Sequence, residues 1–330
     1  MQLRWSRTLT VLPALVLAVV ATTPASAGPS PATTEAGEAS RGTARPADAR
    51  PSRATAPTGD SPKLRPGGPP PRRPAQTAVS SGWNNFDCKP SAAHPRPVIL
   101  VHGTFGNSLD NWLGLAPYLV ARGYCVFSLD YGQLPGVPLF HGLGPVDASA
   151  RQLASYVDRV LAATGARKTD IVGHSQGGMM PRVYLKFYGG AAKVNALIGL
   201  APDNHGTDVN GLTRLLGLLP GAKDHIDKFT PGLTDQIVGS DLLNRLNEGG
   251  DTVPGVHYTV IATRYDEVVT PYKSQFLDGP DVRNVLVQDL CPLDISEHLA
   301  IGLADPVAFH ETANALDPAH ATPTTCMPRG

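Results

Sequence analysis

The chain has 330 residues, with 28 Lys and Arg against 28 Asp and Glu and a formal net charge of zero. That balance excludes the basic footprint of a nucleic-acid binder and offers nothing to another strongly charged partner. Four cysteines, Cys88, Cys125, Cys291 and Cys326, lack C-x-x-C spacing, which argues against a zinc or redox site.

Residues 1–27 read as a signal peptide. Arg4 and Arg7 precede an apolar run from Leu9 to Val20, and Ala25-Ser26-Ala27 supplies a small-residue cleavage site. The run is too short and wrongly flanked for a membrane span, so a secreted, extracellular protein without a transmembrane anchor is expected. In that setting the even cysteine count argues for two disulfides, with three possible pairings. Across residues 28–80, Pro, Ala, Thr, Gly and Arg displace large apolar side chains. Such a stretch buries too little to offset its ordering entropy and is expected to be a disordered pro-segment or linker. Residues 81–330 suffice for one α/β domain with a full core.

Residues 97–101 form a continuous apolar run, as a strand covered on both faces would. His102-Gly103-Thr104-Phe105-Gly106-Asn107 breaks it with turn chemistry. The apolar spacing of 112–121 predicts a helix stopped by Gly123, and 125–129 the next strand. A loop over 130–145 carries Leu139 and Phe140. Asp147 is expected to cap a helix with Ala150, Leu153, Val157 and Val160 on one face and Gly165 beyond its end. Further strands are expected at 168–172, 194–200, 256–263 and 282–288, with a helix over 177–188. Strands alternating with helices imply a parallel sheet covered on both faces.

The chemistry centres on Gly173-His174-Ser175-Gln176-Gly177, a G-x-S-x-G turn between a strand and a helix. Glycines two residues either side let the serine stand proud, and the helix N-terminus brings free N–H groups beside it. A serine needs a base, and the base needs a carboxylate to orient it. In α/β-hydrolases these follow the nucleophile in the order acid, then histidine. Asp266, after the strand at 256–263, and His298, in the loop after the last strand, occupy those places. His257, His310 and His320 are less suitable: one starts a strand, one lies in a helix and one in the tail. The oxyanion hole is expected from the backbone N–H of Gln176 and of Thr104, the latter with its hydroxyl in reach.

The Val101–Asn107 run, the Gly-His-Ser-Gln-Gly-Gly elbow, Ala201-Pro202-Asp203-Asn204-His205-Gly206-Thr207 and Glu297-His298 together resemble secreted bacterial triacylglycerol lipases of the lipase class 2 group. The Ser-Gln-Gly-Gly, Asp-x-x-Gly-Thr and Tyr-Asp-Glu-Val-Val-x-Pro pieces are similar to fungal lipase B enzymes. The resemblance spans nearly all of residues 83–326. It implies an α/β-hydrolase fold with a mostly parallel sheet and a lid-like insertion. It also implies triacylglycerol hydrolysis with Ser175, Asp266 and His298 as triad, and Thr104 and Gln176 as oxyanion donors. Where the fungal enzymes carry tryptophan before the serine, this chain has His174. Pairing neighbouring cysteines, Cys88–Cys125 and Cys291–Cys326, keeps each bridge within one region, and the lipase B resemblance implies similar bridges.

The leucine-rich segment 211–220, with Gly211, Gly217, Pro220 and Gly221, reads as a mobile lid or interface flap in preference to a core helix. No acidic cluster has calcium-loop spacing and no Gly-rich phosphate loop is present, so catalysis is expected to need no cofactor. The expected partner is a lipid or ester substrate met transiently at an oil–water interface, by a monomer. The competing readings are a short-chain carboxylesterase or polyesterase, and a catalytically silent lipid-binding protein of the same fold.

Overall fold

Six parallel strands, Val98–Val101 (β1), Val126–Leu129 (β2), Thr169–His174 (β3), Val194–Leu200 (β4), His257–Ala262 (β5) and Val282–Leu286 (β6), form one sheet in the order β2-β1-β3-β4-β5-β6. The computed structural model describes residues 83–218 and 230–327. The expected signal peptide and linker, at residues 1–80, lie outside the described residues.

The strand side chains alternate between two cores, which is why the runs are apolar at every position. Ile99, Val101 and Ile171 pack on one face with Leu153, Val157, Met179 and Val183. These last come from Val146–Thr164 (α2) and Gln176–Phe187 (α3). Val98, Leu100 and Val172 pack on the other face with Leu115, Leu119 and Val307, from Leu115–Val120 (α1) and Pro306–Leu316 (α9). Each such fully buried aliphatic side chain stabilises the fold by roughly 1.5–3 kcal/mol relative to exposure. A third, smaller cluster of Phe105, Leu143, Leu212, Leu215, Leu233, Val268 and Val269 covers the carboxyl ends of the strands.

Chain order reverses between β1 and β3: β2 lies to one side of β1, and everything after β2 builds on the other. Open parallel sheets place their crevice at such a switch point, outside the strand carboxyl ends. Here Val101 pairs with Gly173, so the loop after β1 and the turn after β3 emerge side by side.

Three local expectations are corrected. The helix expected over 112–121 is split into a 3₁₀ turn at Asp110–Trp112 and α1, because Pro117 has no N–H to give the Leu113 carbonyl and the helical ladder cannot run through. Asp147 does not cap α2. Pro145 holds the cap position, and Asp147, inside the first turn, pairs with Arg151 and Arg245 and accepts the Tyr188 hydroxyl. The strand expected to 288 ends at Leu286 and turns into a short helix, Val287–Leu290 (α7), whose buried Gln288 donates to the Thr263 hydroxyl.

Segment 211–220 falls in a helix, Val209–Leu218 (α4), as far as residue 218, and residues 219–220 lie outside the described residues; the short helices Pro231–Thr234 (α5) and Asp241–Asn247 (α6) follow. In α4, Leu212 and Leu215 are buried in the third cluster, while Leu218 is exposed. Disulfides join Cys88 to Cys125 and Cys291 to Cys326. The first ties the leading segment to the start of β2; the second ties the C-terminal tail to the loop after α7.

Candidate active site

Between β3 and α3 the backbone turns at Ser175 with φ 54° and ψ −128°, a region a side-chain-bearing residue occupies only at a cost of about 1–3 kcal/mol. The neighbouring glycines make it fit. A Cβ on Gly173 would lie 1.8 Å from the Gly177 carbonyl oxygen, and one on Gly177 would lie 2.0 Å from that of Val101.

Asp266, four residues beyond β5, and His298, the first residue of His298–Leu303 (α8), converge on Ser175. His298 Nε2 lies 3.0 Å from Ser175 Oγ, and His298 Nδ1 lies 2.8 Å from Asp266 Oδ2. The carboxylate is itself held on both oxygens. The N–H groups of Val268 and Val269 donate to Oδ1 at 2.9 and 2.7 Å, and Gln275 Nε2 donates to Oδ2 at 2.9 Å. With Nδ1–H given to Asp266, the Nε2 lone pair faces the serine hydroxyl, the tautomer a general base requires. Burial works against a charged His298. The charge and hydrogen bond of Asp266, with Glu267 and Asp203 behind them, override it and hold its pKa above the ordinary 6.5.

The loop after β1 is pinned from several sides. Asn111 Oδ1 accepts the Gly103 N–H at 2.9 Å, the His141 carbonyl accepts the Phe105 N–H at 2.8 Å, and Tyr131 donates its hydroxyl to the His102 carbonyl at 2.6 Å. Neither the Thr104 nor the Gln176 backbone N–H donates to an acceptor among the described residues. The Thr104 hydroxyl is engaged: it donates to Gln236 Oε1 at 3.1 Å and accepts from Gln176 Nε2 at 3.2 Å. Gln176 Nε2 also reaches the Gly142 carbonyl at 3.0 Å, so one side chain ties both expected oxyanion segments to the loop after β2.

A cleft of about 210 Å³ opens over Ser175 and His298, walled by Thr104, Phe105, Leu215, Leu299 and Leu303. Phe140 packs edge-on against Phe105 at 5.7 Å between ring centres, behind that wall, while Leu139 is exposed. Among the described residues no group of three His, Cys, Asp or Glu side chains is placed to hold a metal ion.

Sequence reasoning missed the supporting set: Asn111, Gln236, Gln275 and Asp203. Only Asp203 carried a signal, its place in Ala201-Pro202-Asp203 just past β4. It is 1% exposed, neither carboxyl oxygen has a hydrogen-bond partner among the described residues, and burial pushes its pKa up to about 7.

A family model described as lipase (class 2) matches residues 95–302. A triacylglycerol lipase of Pseudarthrobacter phenanthrenivorans is 41% identical over 96 residues, 28% of this chain and 28% of that protein. Lipase B of Pseudozyma antarctica is 27% identical over 248 residues, 72% of this chain and 66% of that protein. Aspergillus fumigatus lipase B superposes with a TM-score of 0.56 at 23% identity, over 72% of this chain and 57% of that chain. The chain therefore spans less than two thirds of each relative's length. With the sheet order, the structural likeness makes this an α/β-hydrolase fold.

Proposed function

Because this chain belongs to the class 2 lipase family, we propose that it is an exported serine lipase, hydrolysing triacylglycerols and related carboxylic esters through an acyl-enzyme. The observation that carries the reading is the unbroken line from Asp266 through His298 to Ser175, at 2.8 and 3.0 Å, at the floor of a cleft with apolar walls.

Ser175 Oγ attacks the ester carbonyl while His298 Nε2 takes its proton. The imidazolium keeps Nδ1–H on Asp266, whose charge stabilises it. The carbonyl oxygen, now negative, is received by the N–H groups of Thr104 and Gln176, which have no other acceptor among the described residues. His298 then passes its proton to the leaving alkoxide, and water repeats the sequence on the acyl-serine. Pairing of all four cysteines supports an oxidising compartment, and so export with residues 1–27 removed. Among the described residues no helix is long and apolar enough to cross a membrane.

A phosphonate ester should label the wild-type protein on Ser175 and stop hydrolysis. Ser175→Ala should lose turnover by several orders of magnitude with an unchanged melting temperature. Substantial activity in purified Ser175→Ala sinks the mechanism. Rates on butyrate against oleate esters separate a lipase from a short-chain carboxylesterase or polyesterase, and no hydrolysis at all would leave a silent lipid-binding protein.

A further inference from the structure

The base of the triad sits on an insecure element. His298 opens α8, a helix of six residues, which has little stability of its own. Its N-terminus is capped locally by the Glu297 carboxylate, which accepts from the Leu299 and Ala300 N–H groups. The neighbouring Ile295 is 80% exposed. Three hydrogen bonds reach residue 298 from other strand ends. Two are the Ser175 and Asp266 contacts to its ring. The third is made to its backbone: His174 Nε2 lies 2.9 Å from the His298 carbonyl oxygen.

A carbonyl only accepts, so His174 Nε2 carries the proton. Nδ1 lies 3.2 Å from a second acceptor, Asn111 Oδ1, which already receives the Gly103 N–H; a neutral ring has one proton for the two oxygens, and the shorter contact, to residue 298, takes it. The single N–H of His174 is therefore committed to residue 298. Burial, with the charge of His298 beside it, pushes the His174 pKa down to about 3, so the ring stays neutral through the working range. The contact has no slack: a Cβ on Gly302, one turn along α8, would sit 2.5 Å from His174 Cδ2 and 2.6 Å from Cγ. His174 is also the residue before the nucleophile, so one strand end carries both Ser175 and a tether to the backbone of its base.

We infer that His174 is a positioning residue, whose Nε2–H grips the His298 carbonyl and keeps the base in line between Asp266 and Ser175. The inference rests on the ester-hydrolase reading above. The groups facing His298 are Asp266, Glu267, Asp203 and His174; those facing His174 are His298, Asp266 and His102. Since the ring is neutral, losing it removes a donor and no charge. What changes is the hold on residue 298, and through it the Asp266 contact that raises the pKa of the base.

His174→Phe keeps a flat ring and removes the donor; His174→Gln places an amide N–H near the Nε2 position. On a soluble butyrate ester, His174→Phe should lower kcat about ten- to a hundredfold, the scale of a misplaced reacting group. KM should stay within about threefold, and the acid limb of the pH profile should move to lower pH. His174→Gln should recover kcat to within about fivefold, with the limb restored. A packing role alone would not move the limb or distinguish Gln from Phe. Wild-type kcat and an unmoved limb in His174→Phe overturn the inference, as does a Gln variant as slow as Phe at the same melting temperature. Should His174→Phe fail to fold, Gly302→Ala, which presses a methyl group against the ring, must lower kcat and move the limb in the same way; unaltered kinetics there also overturn it. A wild-type protein that hydrolyses no ester overturns the functional reading itself, whereas an active wild type beside an equally active His174→Phe removes only the role of His174.

Discussion

Replacing Asp203 with Asn tests whether the protein carries an uncompensated acid beneath its proposed active site. The side chain is 1% exposed, and neither oxygen is hydrogen-bonded among the described residues. Burial raises its pKa from an ordinary 3.8 to about 7; its own nearby backbone N–H and the charges of His298 and Arg182 only partly offset this, and Asp266 adds to it. The sign follows from proton binding. Between those two values the native state keeps the proton and the unfolded chain loses it. The acid's contribution to stability is thus fully present below pH 3.8 and is lost as pH rises through about 7. About three decades of proton affinity, at ~1.4 kcal/mol each, make the loss roughly 4 kcal/mol, an upper value because local relaxation lowers it. Asn keeps the shape and never ionises. Urea unfolding of both proteins at about pH 4 and pH 8.5, disulfides intact, gives the stability gap between them at each pH, and any steric cost cancels in the difference. The gap should shift in favour of Asp203→Asn by about 2–4 kcal/mol across that range. A gap that stays constant within ~1 kcal/mol would refute the argument and place an unseen partner on the carboxyl group.

Because His298 is held above its ordinary 6.5, kcat/KM should fall as pH drops through a value above 6.5. Asp266→Asn should lower turnover by about 10⁴-fold and move the remaining acid limb to lower pH; greater damage from Glu267 or Asp294 substitutions would identify a different carboxylate. Cys291→Ser with Cys326→Ser should cost roughly 3–4 kcal/mol and also slow turnover, because that bridge anchors the loop leading to His298. Cys88→Ser with Cys125→Ser should lower stability and leave kcat near wild type, and calorimetry beside steady-state kinetics separates the two. Leu215, buried and on the cleft wall, should when changed to Ser raise KM for a long-chain ester more than for a short one. Equal losses on both, with a lower melting temperature, would make it a core residue alone.

Features that depend on local pattern and on order along the chain were legible in the residues. Continuous apolar runs named the buried strands, and the glycines around Ser175 announced a turn that only their missing side chains permit. The succession of Ser175, Asp266 and His298 at strand ends was readable because parallel strands bring all their carboxyl ends to one edge, whatever the loops between them do. Boundaries were less legible. Val287 continues the apolar pattern of the strand, yet the chain turns helical there, and the Gln288 amide meets Thr263, 25 residues away. Asp147 has the right chemistry for a cap, but Arg151, Arg245 and Tyr188 claim it first.

Which polar groups support the proposed triad depended on packing alone. Gln236 meets Thr104 across 132 residues, and His174 meets the His298 carbonyl across 124. Gln275 holds the second oxygen of Asp266 alongside His298. Such partners leave no periodic trace, because a hydrogen bond between distant loops depends on where packed strands set the loops down. Asp203 stands in a recognisable stretch of sequence, yet it becomes a strained acid only once the core closes over it and no other described residue supplies a donor.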